Sequence, residues 1–273
     1  MWEPAVVVVT ARSKPLVALC DVEFSAMTES EVVEHVMTRL AGPDRAGRRG
    51  GWIVTPNADI LRQAAGQPGL CELLRKADLV VADGMPLVWA SAIQGTRLPA
   101  RVTGASLFET LSAAAAGHGR HVLVLGGRSG TSERAIEVLK RRYPGLHGDG
   151  WSPPQGIEAT GSGLAEIAER IRHARADIVF CGFGFPKQER LINELTSDFP
   201  DVWFLGCGAA VDFAAGNVSR APNALQRMGF EWLYRLAREP RRLLARYLVH
   251  DLPFVVRILA RAAMRRVARR FGR

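Results

Sequence analysis

An acidic residue stands at the end of an apolar run in this 273-residue sequence, where its carboxylate could transfer a proton. Asp83 follows the apolar residues 79–82 and precedes Gly84. If the run is a buried strand, Asp83 lies at its carboxyl end and can act as a general base toward a substrate hydroxyl. Asp83 could equally cap the helix that follows. The residue types therefore offer Asp83 as a catalytic base and leave the structural alternative open.

A glycine-rich turn follows another apolar run. Gly126 and Gly127 precede Arg128, and Gly130 follows it. Such a turn exposes backbone N–H groups, and the N-terminus of the next helix favours an anion, so the turn is a candidate cradle for a diphosphate with Arg128 as the counter-charge. The glycines could also serve only the geometry of a tight turn.

Several common cofactor signatures are missing from the sequence. The pairs Gly182/Gly184 and Gly206/Gly208 lack the third glycine of a dinucleotide fingerprint, and no P-loop pattern occurs. There is no D-x-D motif, the six histidines show no metal-ligand spacing, and the four cysteines form no C-x-x-C pair. These absences argue against an NAD-dependent oxidoreductase and a P-loop NTPase. We expect an activity that needs no metal and no other cofactor.

Strand-like and helix-like segments alternate along most of the chain. Strands are predicted at residues 6–10, 16–19, 52–55, 79–82, 122–125, 178–181 and 202–205. Helices are predicted at residues 29–40, 58–65, 107–116, 132–142, 164–175 and 187–195, with capping-box spacings at Thr28/Glu31 and Ser106/Glu109. This alternation is typical of a Rossmann-like α/β fold, in which helices cover both faces of a mostly parallel sheet. The strand ends would then share one edge, where such sheets bind ligands.

The net positive charge of the chain lies in its C-terminal part. The whole sequence has a formal charge of +9, whereas residues 227–273 contain 13 arginines and three acidic residues and carry +10. Strand patterns end near residue 220, and only helical patterns follow. We therefore predict an α/β catalytic core over residues 1–220 and a basic, all-helical appendage over residues 221–273.

Three explanations are open for the arginines of the appendage. An anionic lipid surface and a nucleic acid both supply the polyanion that such a charge attracts, and the second would make the chain a nucleic-acid-binding protein with an α/β scaffold. The third alternative is a helix packed on the core with a solvated arginine face. Apolar residues repeat at helical spacing as a stripe, formed by Val256, Ala260, Ala263, Met264, Val267 and Phe271. Because a phosphate-backbone binder needs no such stripe, the pattern favours a lipid interface.

No apolar run of the sequence approaches the ~20 residues of a membrane span. No secretion signal follows Met1 in the sequence. We therefore expect a cytoplasmic location.

Six motifs, taken in order, resemble one family of enzymes. They are TPNADIL (residues 55–61), ADGMPLV (82–88), LPARVTGASL (98–107), GFGFPKQE (182–189), GCGAAVDFAAG (206–216) and RAPNALQRMGFEWLYRLAREPRRLLARYL (220–248). The sequence is similar to the WecG/TagA/CpsF glycosyltransferases, also called glycosyltransferase family 26, from about residue 17 to residue 248.

The resemblance implies an inverting, UDP-sugar-dependent hexosyltransferase. Its donor would supply a hexose or N-acetylhexosamine-type sugar, such as N-acetylmannosamine, its uronate or glucose, and its acceptor would be a sugar on a polyprenyl diphosphate. Such enzymes serve the synthesis of cell-envelope polymers, such as exopolysaccharide or teichoic acid. The resemblance also implies peripheral association with the inner face of the cell membrane, an anionic membrane surface as partner and no nucleic acid. A homo-oligomer stays open.

The resemblance assigns roles to particular residues. Asp83 matches the proposed catalytic base of the family. The positions that match substrate-binding residues are Thr55, Asn57, Arg101, Gln188 and Asp212, the last of them near the nucleotide. The basic appendage would close the site and dock on the membrane, with Arg235, Arg242 and Arg246 at the matching positions. Pro86 departs from the family pattern, and the chain continues past the last motif into a segment with no assigned role.

Overall fold

The computed structural model describes residues 15–42, 45–157, 161–222, 224–225, 231–238 and 240–271. The strand predicted at residues 6–10 lies outside these ranges. Within them the chain folds as a parallel sheet flanked by helices, so the predicted Rossmann-like α/β fold is confirmed.

Eight strands in the described part of the chain form two sheets. They are β1 (Leu16–Leu19), β2 (Val22–Ser25), β3 (Gly51–Val54), β4 (Leu79–Val80), β5 (His121–Gly126), β6 (His147–Trp151), β7 (Ile178–Gly182) and β8 (Trp203–Gly206). β1 and β2 form a separate antiparallel pair. The other six form one sheet in the order β4-β3-β8-β7-β5-β6, in which every neighbouring pair is parallel.

Nine helices accompany these strands up to residue 214 of the described chain. They are α1 (Glu29–Leu40), α2 (Ala58–Ala65), α3 (Pro68–Arg75), α4 (Met85–Gln94), α5 (Gly104–Gly117), α6 (Thr131–Arg142), α7 (Gly161–Ala174), α8 (Lys187–Leu195) and α9 (Ala210–Ala214). The bounds predicted for α1, α2 and α8 are confirmed. The α1 capping box is present, because the Thr28 N–H donates to the Glu31 carboxylate at 2.8 Å and the Thr28 hydroxyl accepts from the Glu31 N–H.

The N-terminus predicted for α5 is wrong. The helix begins at Gly104 rather than residue 107, because the Thr103 hydroxyl accepts the Ser106 N–H at 3.0 Å and so caps the helix one turn earlier. The Ser106 side chain does not cap a later helix, since its hydroxyl donates to the Thr103 carbonyl at 3.1 Å. Thr103 and Ser106 lie three positions apart, and Thr103, the first of them, is the N-cap of α5.

Apolar side chains pack in two layers, one on each face of the sheet. Along β5, Leu123 and Leu125 join one buried cluster, and Val122 and Val124 join the other. This alternation is the period of two that a strand imposes. The sheet is therefore covered on both faces, as expected for parallel strands with helical crossovers.

The strand β6 was not predicted, because its sequence HGDGW lacks the apolar pattern of a strand. The structure shows why glycines stand there. A Cβ atom at Gly150 would lie 2.3 Å from the Ser132 carbonyl oxygen, and one at Gly148 would lie 2.6 Å from Cγ2 of Val122. The helix α6 at Gly150, and the neighbouring strand β5 at Gly148, thus approach β6 so closely that only glycine fits.

Only helices follow residue 223 in the described residues, as predicted. They are α10 (Glu231–Arg238), α11 (Pro240–Leu244), a π-helical segment (Ala245–Asp251) and α12 (Leu252–Phe271). On α12, Phe254, Ile258 and Ala262 are buried in the same cluster as core residues of the sheet layer. Asp251 pairs with Arg62 of α2 at 3.1 Å. The division into two domains at residue 220 stays a prediction.

The predicted apolar stripe of α12 lies away from its packed face. Val256, Met264, Val267 and Phe271 are between 54% and 81% exposed. The alternative of a helix packed on the core is therefore confirmed for one face of α12, while the stripe on the other face is open to solvent. No helix of the described residues is long and apolar enough to span a membrane.

Candidate active site

The carboxyl ends of five strands lie side by side at one edge of the sheet. The strand register brings the last residues of these strands to within one residue of a common level; they are Val80, Val54, Gly206, Gly182 and Gly126. The segments that follow them contain most of the residues singled out in the sequence. The structure therefore brings these segments together along the edge where α/β sheets bind ligands.

Asp83 lies beyond β4 and is partly buried. Its N–H donates to the Pro56 carbonyl at 3.0 Å, which fixes it beside the segment that follows β3. The helix α4 begins at Met85 with Gly84 at its N-cap, so Asp83 is not the N-cap residue of that helix. Gly84 has φ of 141°, a conformation that favours glycine. This turn therefore places a carboxylate at the edge of the sheet.

Thr55 and Asn57 lie on the neighbouring strand end. Thr55 is buried, and its hydroxyl lies 3.0 Å from where a Cβ atom of Gly104 would be. The carbonyl oxygen of the Asn57 side chain accepts the Ile60 N–H at 3.0 Å and caps α2. Asn57 thus has a structural role at this edge, and the sugar contacts expected for both residues stay predictions.

The backbone of Arg101 lies close to that of Asp83 although 18 positions separate them in the sequence. The Val102 N–H donates to the Ala82 carbonyl at 2.9 Å. This bond joins the residue after Arg101 to the residue before Asp83. The Arg101 side chain is 17% exposed. A guanidinium that keeps little solvent stabilises a nearby anion more strongly than one in open water.

A second arginine and a glutamate complete a charged cluster around Arg101. Glu231 of α10 lies 3.6 Å from Arg101 and 3.8 Å from Arg220. Arg220 also donates to the Thr103 hydroxyl at 3.3 Å. Two guanidinium groups thus share one carboxylate, which leaves the cluster with net positive charge beside the site.

The turn at residues 126–130 needs its glycines for geometry. Gly126 and Gly127 have positive φ, and a Cβ atom at Gly126 would lie 2.8 Å from the Gly182 carbonyl. Arg128 is exposed. Part of the α6 N-terminus is already occupied, because the Ser132 N–H donates to Ser152, which in turn donates to Glu133. The geometry of a tight turn is thus enough to explain the glycines. A diphosphate cradle with Arg128 stays a prediction.

Gln188 is buried, 4% exposed, and braces two turns at the same edge. Its side-chain oxygen accepts the Gly184 N–H at 3.0 Å and the Gly208 N–H at 3.1 Å. Its side-chain nitrogen donates to Glu189 at 2.9 Å. These bonds give Gln188 a role inside the protein, and its expected substrate contact stays a prediction.

Asp212 lies in α9, which follows β8. Its carboxylate accepts from the Asn217 side chain at 3.3 Å, and the same nitrogen lies 3.3 Å from the Thr131 hydroxyl. This bond network links α9 to the start of α6, next to the turn at residues 126–130. Asp212 is therefore placed near the glycine-rich turn, at the opposite end of the strand row from Asp83.

Comparison with known proteins gives the family of this chain. The model of the glycosyl transferase WecG/TagA/CpsF family matches residues 17–268. The chain belongs to this family. It is 32% identical over 231 residues to the N-acetylglucosaminyldiphosphoundecaprenol N-acetyl-beta-D-mannosaminyltransferase of Bacillus spizizenii, which covers 85% of each chain. A protein of the same description from Staphylococcus aureus is 29% identical, over 83% of this chain and 86% of its own.

Family membership makes the chain a glycosyltransferase, as the six motifs indicated. The match extends through the appendage to residue 268. Arg235, Arg242 and Arg246 belong to helical segments there, but their side chains lie outside what the structure describes. The part predicted for these three arginines in closing the site stays a prediction.

The residues that could bind a metal or react as thiols are the histidines, acidic residues and cysteines of this glycosyltransferase. Among the described residues, no group of three or more histidine, cysteine, aspartate or glutamate side chains is placed to hold a metal ion. All four cysteines are free thiols. Burial raises the pKa of both Cys181 and Cys207, so these two thiols stay protonated, as buried cysteines usually do.

Sequence reasoning missed three residues that shape the site: Arg220, Glu231 and Glu189. The first two form ion pairs between distant parts of the chain, which no local spacing reveals. Glu189 could have been found from the sequence. It lies three residues before Ile192, on the apolar face of α8, where a charged residue interrupts the helical pattern.

Glu189 makes the stability of the fold depend on pH. Burial raises the pKa of its carboxyl from 4.5 to about 7, although the bond from Gln188 lowers it. The native protein keeps a proton that the unfolded chain loses above pH 4.5, so the free energy of unfolding falls as pH rises from about 4.5 to about 7. The fall is on the order of 3 kcal/mol, from about 1.4 kcal/mol for each pKa unit.

We expect Glu189→Gln to remove this part of the pH dependence. The buried groups that face the carboxyl are Gln188 and the protonated thiols of Cys181 and Cys207, none of which titrates in this range. Chemical denaturation of both proteins between pH 5 and pH 8 measures the difference, with Glu109→Gln as a control at a partly exposed acid. Parallel stability curves for the wild type and Glu189→Gln would contradict the assignment.

Proposed function

We propose that this chain is an inverting transferase that moves a sugar from a UDP-sugar to a sugar on a polyprenyl diphosphate. The sugar moved is a hexose or an N-acetylhexosamine-type sugar, with N-acetylmannosamine favoured by the names of both relatives. Their names also describe an acceptor in which N-acetylglucosamine is joined to undecaprenol by a diphosphate. The observation that carries the proposal is the bond from Val102 to Ala82, which brings the backbone of Arg101 close to that of Asp83 at the edge of the sheet.

The proposed reaction needs one base and one source of positive charge. Asp83 takes the proton of the acceptor hydroxyl as the hydroxyl oxygen attacks the anomeric carbon of the donor. The bond from that carbon to the UDP oxygen breaks on the opposite face, so the configuration inverts and UDP leaves with the electron pair. One carboxylate suffices because the diphosphate leaves as an anion and, unlike the leaving group of a glycosidase, does not need a second carboxyl group to protonate it. Arg101 and Arg220 stabilise the charge that develops on the leaving diphosphate.

The same proposal assigns the appendage to an anionic membrane at the cytoplasmic face, where a polyprenyl-linked acceptor would be reached. Ten of the thirteen exposed large apolar side chains among the described residues lie between Trp232 and Phe271. Arginines accompany them throughout this segment. Apolar side chains next to cationic ones suit the interface of an anionic bilayer. A nucleic acid would need only the charge.

A donor screen tests the proposed function. The protein is incubated with single UDP-sugars and with N-acetylglucosamine on a polyprenyl diphosphate, and released UDP and glycolipid product are measured. We expect one N-acetylhexosamine donor or its relatives to give a product whose new linkage is inverted relative to the donor. If no UDP-sugar is turned over or bound, the proposal is wrong. A product that retains the donor configuration would contradict the mechanism.

We expect sugar transfer to survive chelation of divalent metals. The sequence lacks a D-x-D motif, and the two arginines around Glu231, Arg101 and Arg220, can supply the positive charge instead. Arginines can neutralise a diphosphate without a metal. The measurement is the initial rate with excess EDTA, against a metal-dependent glycosyltransferase as a control for effective chelation. Loss of activity that Mg²⁺ or Mn²⁺ restores would contradict this expectation.

We expect the exposed stripe of α12 to support membrane binding that is sensitive to salt. The triple variant Met264→Ser, Val267→Ser, Phe271→Ser removes apolar contacts and leaves every arginine and the packed face of α12 in place. It should pellet several-fold less with vesicles that contain phosphatidylglycerol than the wild type does. High salt should release both, because each basic residue near an anionic surface contributes only about 1 kcal/mol and is screened.

The control for this experiment is the double variant Leu16→Ser, Val218→Ser, which removes exposed apolar side chains outside the appendage. It should bind vesicles as the wild type does. Equal pelleting of the triple variant and the wild type would contradict a role for the stripe. Tight binding to duplex DNA or RNA without vesicle binding would favour the nucleic-acid alternative.

A further inference from the structure

Two consecutive polar residues of α8 face the core. Gln188 and Glu189 are 4% and 1% exposed, and Leu191 and Ile192 are buried on the same side of the helix. Burying a polar group is unfavourable unless it is hydrogen-bonded, and burying a carboxyl group is more so. An apolar pair at these positions would pack with less cost, so the polar pair calls for an explanation beyond stability.

The oxygen of the Gln188 side chain joins two turns at the edge of the sheet. It accepts one N–H from Gly184, in the turn after β7, and one from Gly208, in the turn after β8. Both glycines have positive φ, 77° and 49°. A single amide oxygen therefore holds two irregular turns together where the strand ends meet.

Glu189 decides which way the Gln188 amide points. An amide can present its oxygen or its nitrogen to a given side after a half-turn, and only the oxygen can accept the two glycine N–H groups. Glu189 Oε1 accepts from Gln188 Nε2 at 2.9 Å, and this bond requires the nitrogen on the Glu189 side. The other oxygen, Oε2, is buried without a hydrogen-bond partner. Glu189 thus keeps an unfavourable buried group while it orients Gln188.

The end of β8 fits closely over this pair. A Cβ atom at Gly206 would lie 2.6 Å from Gln188 Nε2 and 2.9 Å from Glu189 Oε1. On its other side, the Gly206 carbonyl lies 3.4 Å from where a Cβ atom of Gly104 would be, and Gly104 adjoins the Thr55 hydroxyl. A change in the pair is therefore transmitted to the strand end beside Thr55.

We propose that Glu189 is a positioning residue for sugar transfer, which acts by fixing the Gln188 amide so that the turns at Gly184 and Gly208 keep the shape that the substrate meets. The inference rests on the proposed function. Glu189 itself lies beneath the edge and acts through Gln188, so it is not a catalytic residue.

The variant Glu189→Met tests the proposal, because methionine fills the space but cannot accept the Gln188 N–H. We expect a folded protein whose melting temperature at pH 8 equals or exceeds that of the wild type. Its kcat/KM for the donor should fall between about tenfold and about hundredfold, as expected when a site is misplaced by a fraction of an ångström or more. Glu189→Gln still offers an oxygen to Gln188, so it should restore kcat/KM to within about threefold.

The control is Ile192→Met, a similar change of shape at a buried position on the same face of α8. It should leave kcat/KM near the wild-type value. A folded Glu189→Met protein with full kcat/KM would overturn the proposal. So would a Glu189→Gln protein as impaired as Glu189→Met, because the defect would then not follow the loss of the acceptor.

Hydrogen exchange tests the same arrangement without any sugar. In Glu189→Met, amides of residues 183–189 and 206–212 should exchange faster than in the wild type, whereas Glu189→Gln and Ile192→Met should match the wild type. Unchanged exchange in Glu189→Met would overturn the proposal. If the wild type turned over no UDP-sugar, the proposed function would be wrong, and the exchange result would still show whether Glu189 holds the two turns.

Discussion

Replacing Asp83 by asparagine is expected to lower the rate of sugar transfer by ~10²–10⁴-fold, the usual effect of removing a general base. Asparagine keeps the shape of the side chain but does not take up the proton of the acceptor hydroxyl. The backbone at this position should stay in place, because the bond from the residue 83 N–H to the Pro56 carbonyl does not involve the side chain. The measurement is kcat with the donor and acceptor found in the screen, together with UDP binding, which should be unchanged.

The matched control is Asp149→Asn. Asp149 lies on β6, where its carboxylate is exposed and pairs with His121 at 3.0 Å, on the far edge of the sheet from Asp83. This variant should transfer sugar at the wild-type rate. Near-normal turnover of a folded Asp83→Asn protein would assign the base to another residue.

Replacing Arg101 by methionine is expected to lower kcat by ~10²–10³-fold, the loss that follows removal of one group that stabilises charge in a transition state. Methionine keeps much of the length of the side chain and removes the positive charge of the guanidinium. The substitution should not leave a carboxylate alone in the protein, because Glu231 keeps its pairing with Arg220 at 3.8 Å. We therefore expect a folded protein with a defect in chemistry.

Arg97→Met is the control for Arg101→Met, since Arg97 is an exposed arginine four residues earlier in the same segment. Its kcat should equal that of the wild type. If Arg101→Met raised only KM and left kcat intact, Arg101 would bind the donor equally in the ground state and the transition state, and its assigned role would be wrong.

Local signals were sufficient to predict several elements of the fold with their bounds. In α1, Thr28 and Glu31 bond each other within one turn, so the cap can be recognised from four residues of sequence. The helices α2 and α8 likewise follow from apolar periodicity. The strands β3, β5, β7 and β8 were predicted because buried parallel strands are short apolar runs. Their alternation with helices was enough to predict the parallel sheet and the edge at which Asp83 lies.

Other elements depend on packing that local patterns do not encode. The strand β6 contains two glycines and a charged residue, and it is a strand because it pairs in parallel with β5, while α6 lies directly against it. The strand β2, which pairs antiparallel with β1 after a two-residue turn, is not predicted from the sequence, whereas β1 is. At α5, the predicted cap was Ser106, and the structure has Thr103 as the cap instead.

The candidate site likewise has a part that the sequence predicts and a part that only the tertiary structure decides. The sequence was enough to predict that Asp83, Thr55 and the glycine-rich turns would share one edge of the sheet. The signal was a set of apolar runs, each followed by small or polar residues. The tertiary structure alone joined Arg101 and Arg220 through Glu231, which lies 130 positions from Arg101. It also oriented the Gln188 amide against Glu189 and selected which apolar face of α12 packs on the core. Each of these depends on which surfaces meet in space, and hydrogen bonds and ion pairs between distant segments leave no periodic trace in a single sequence.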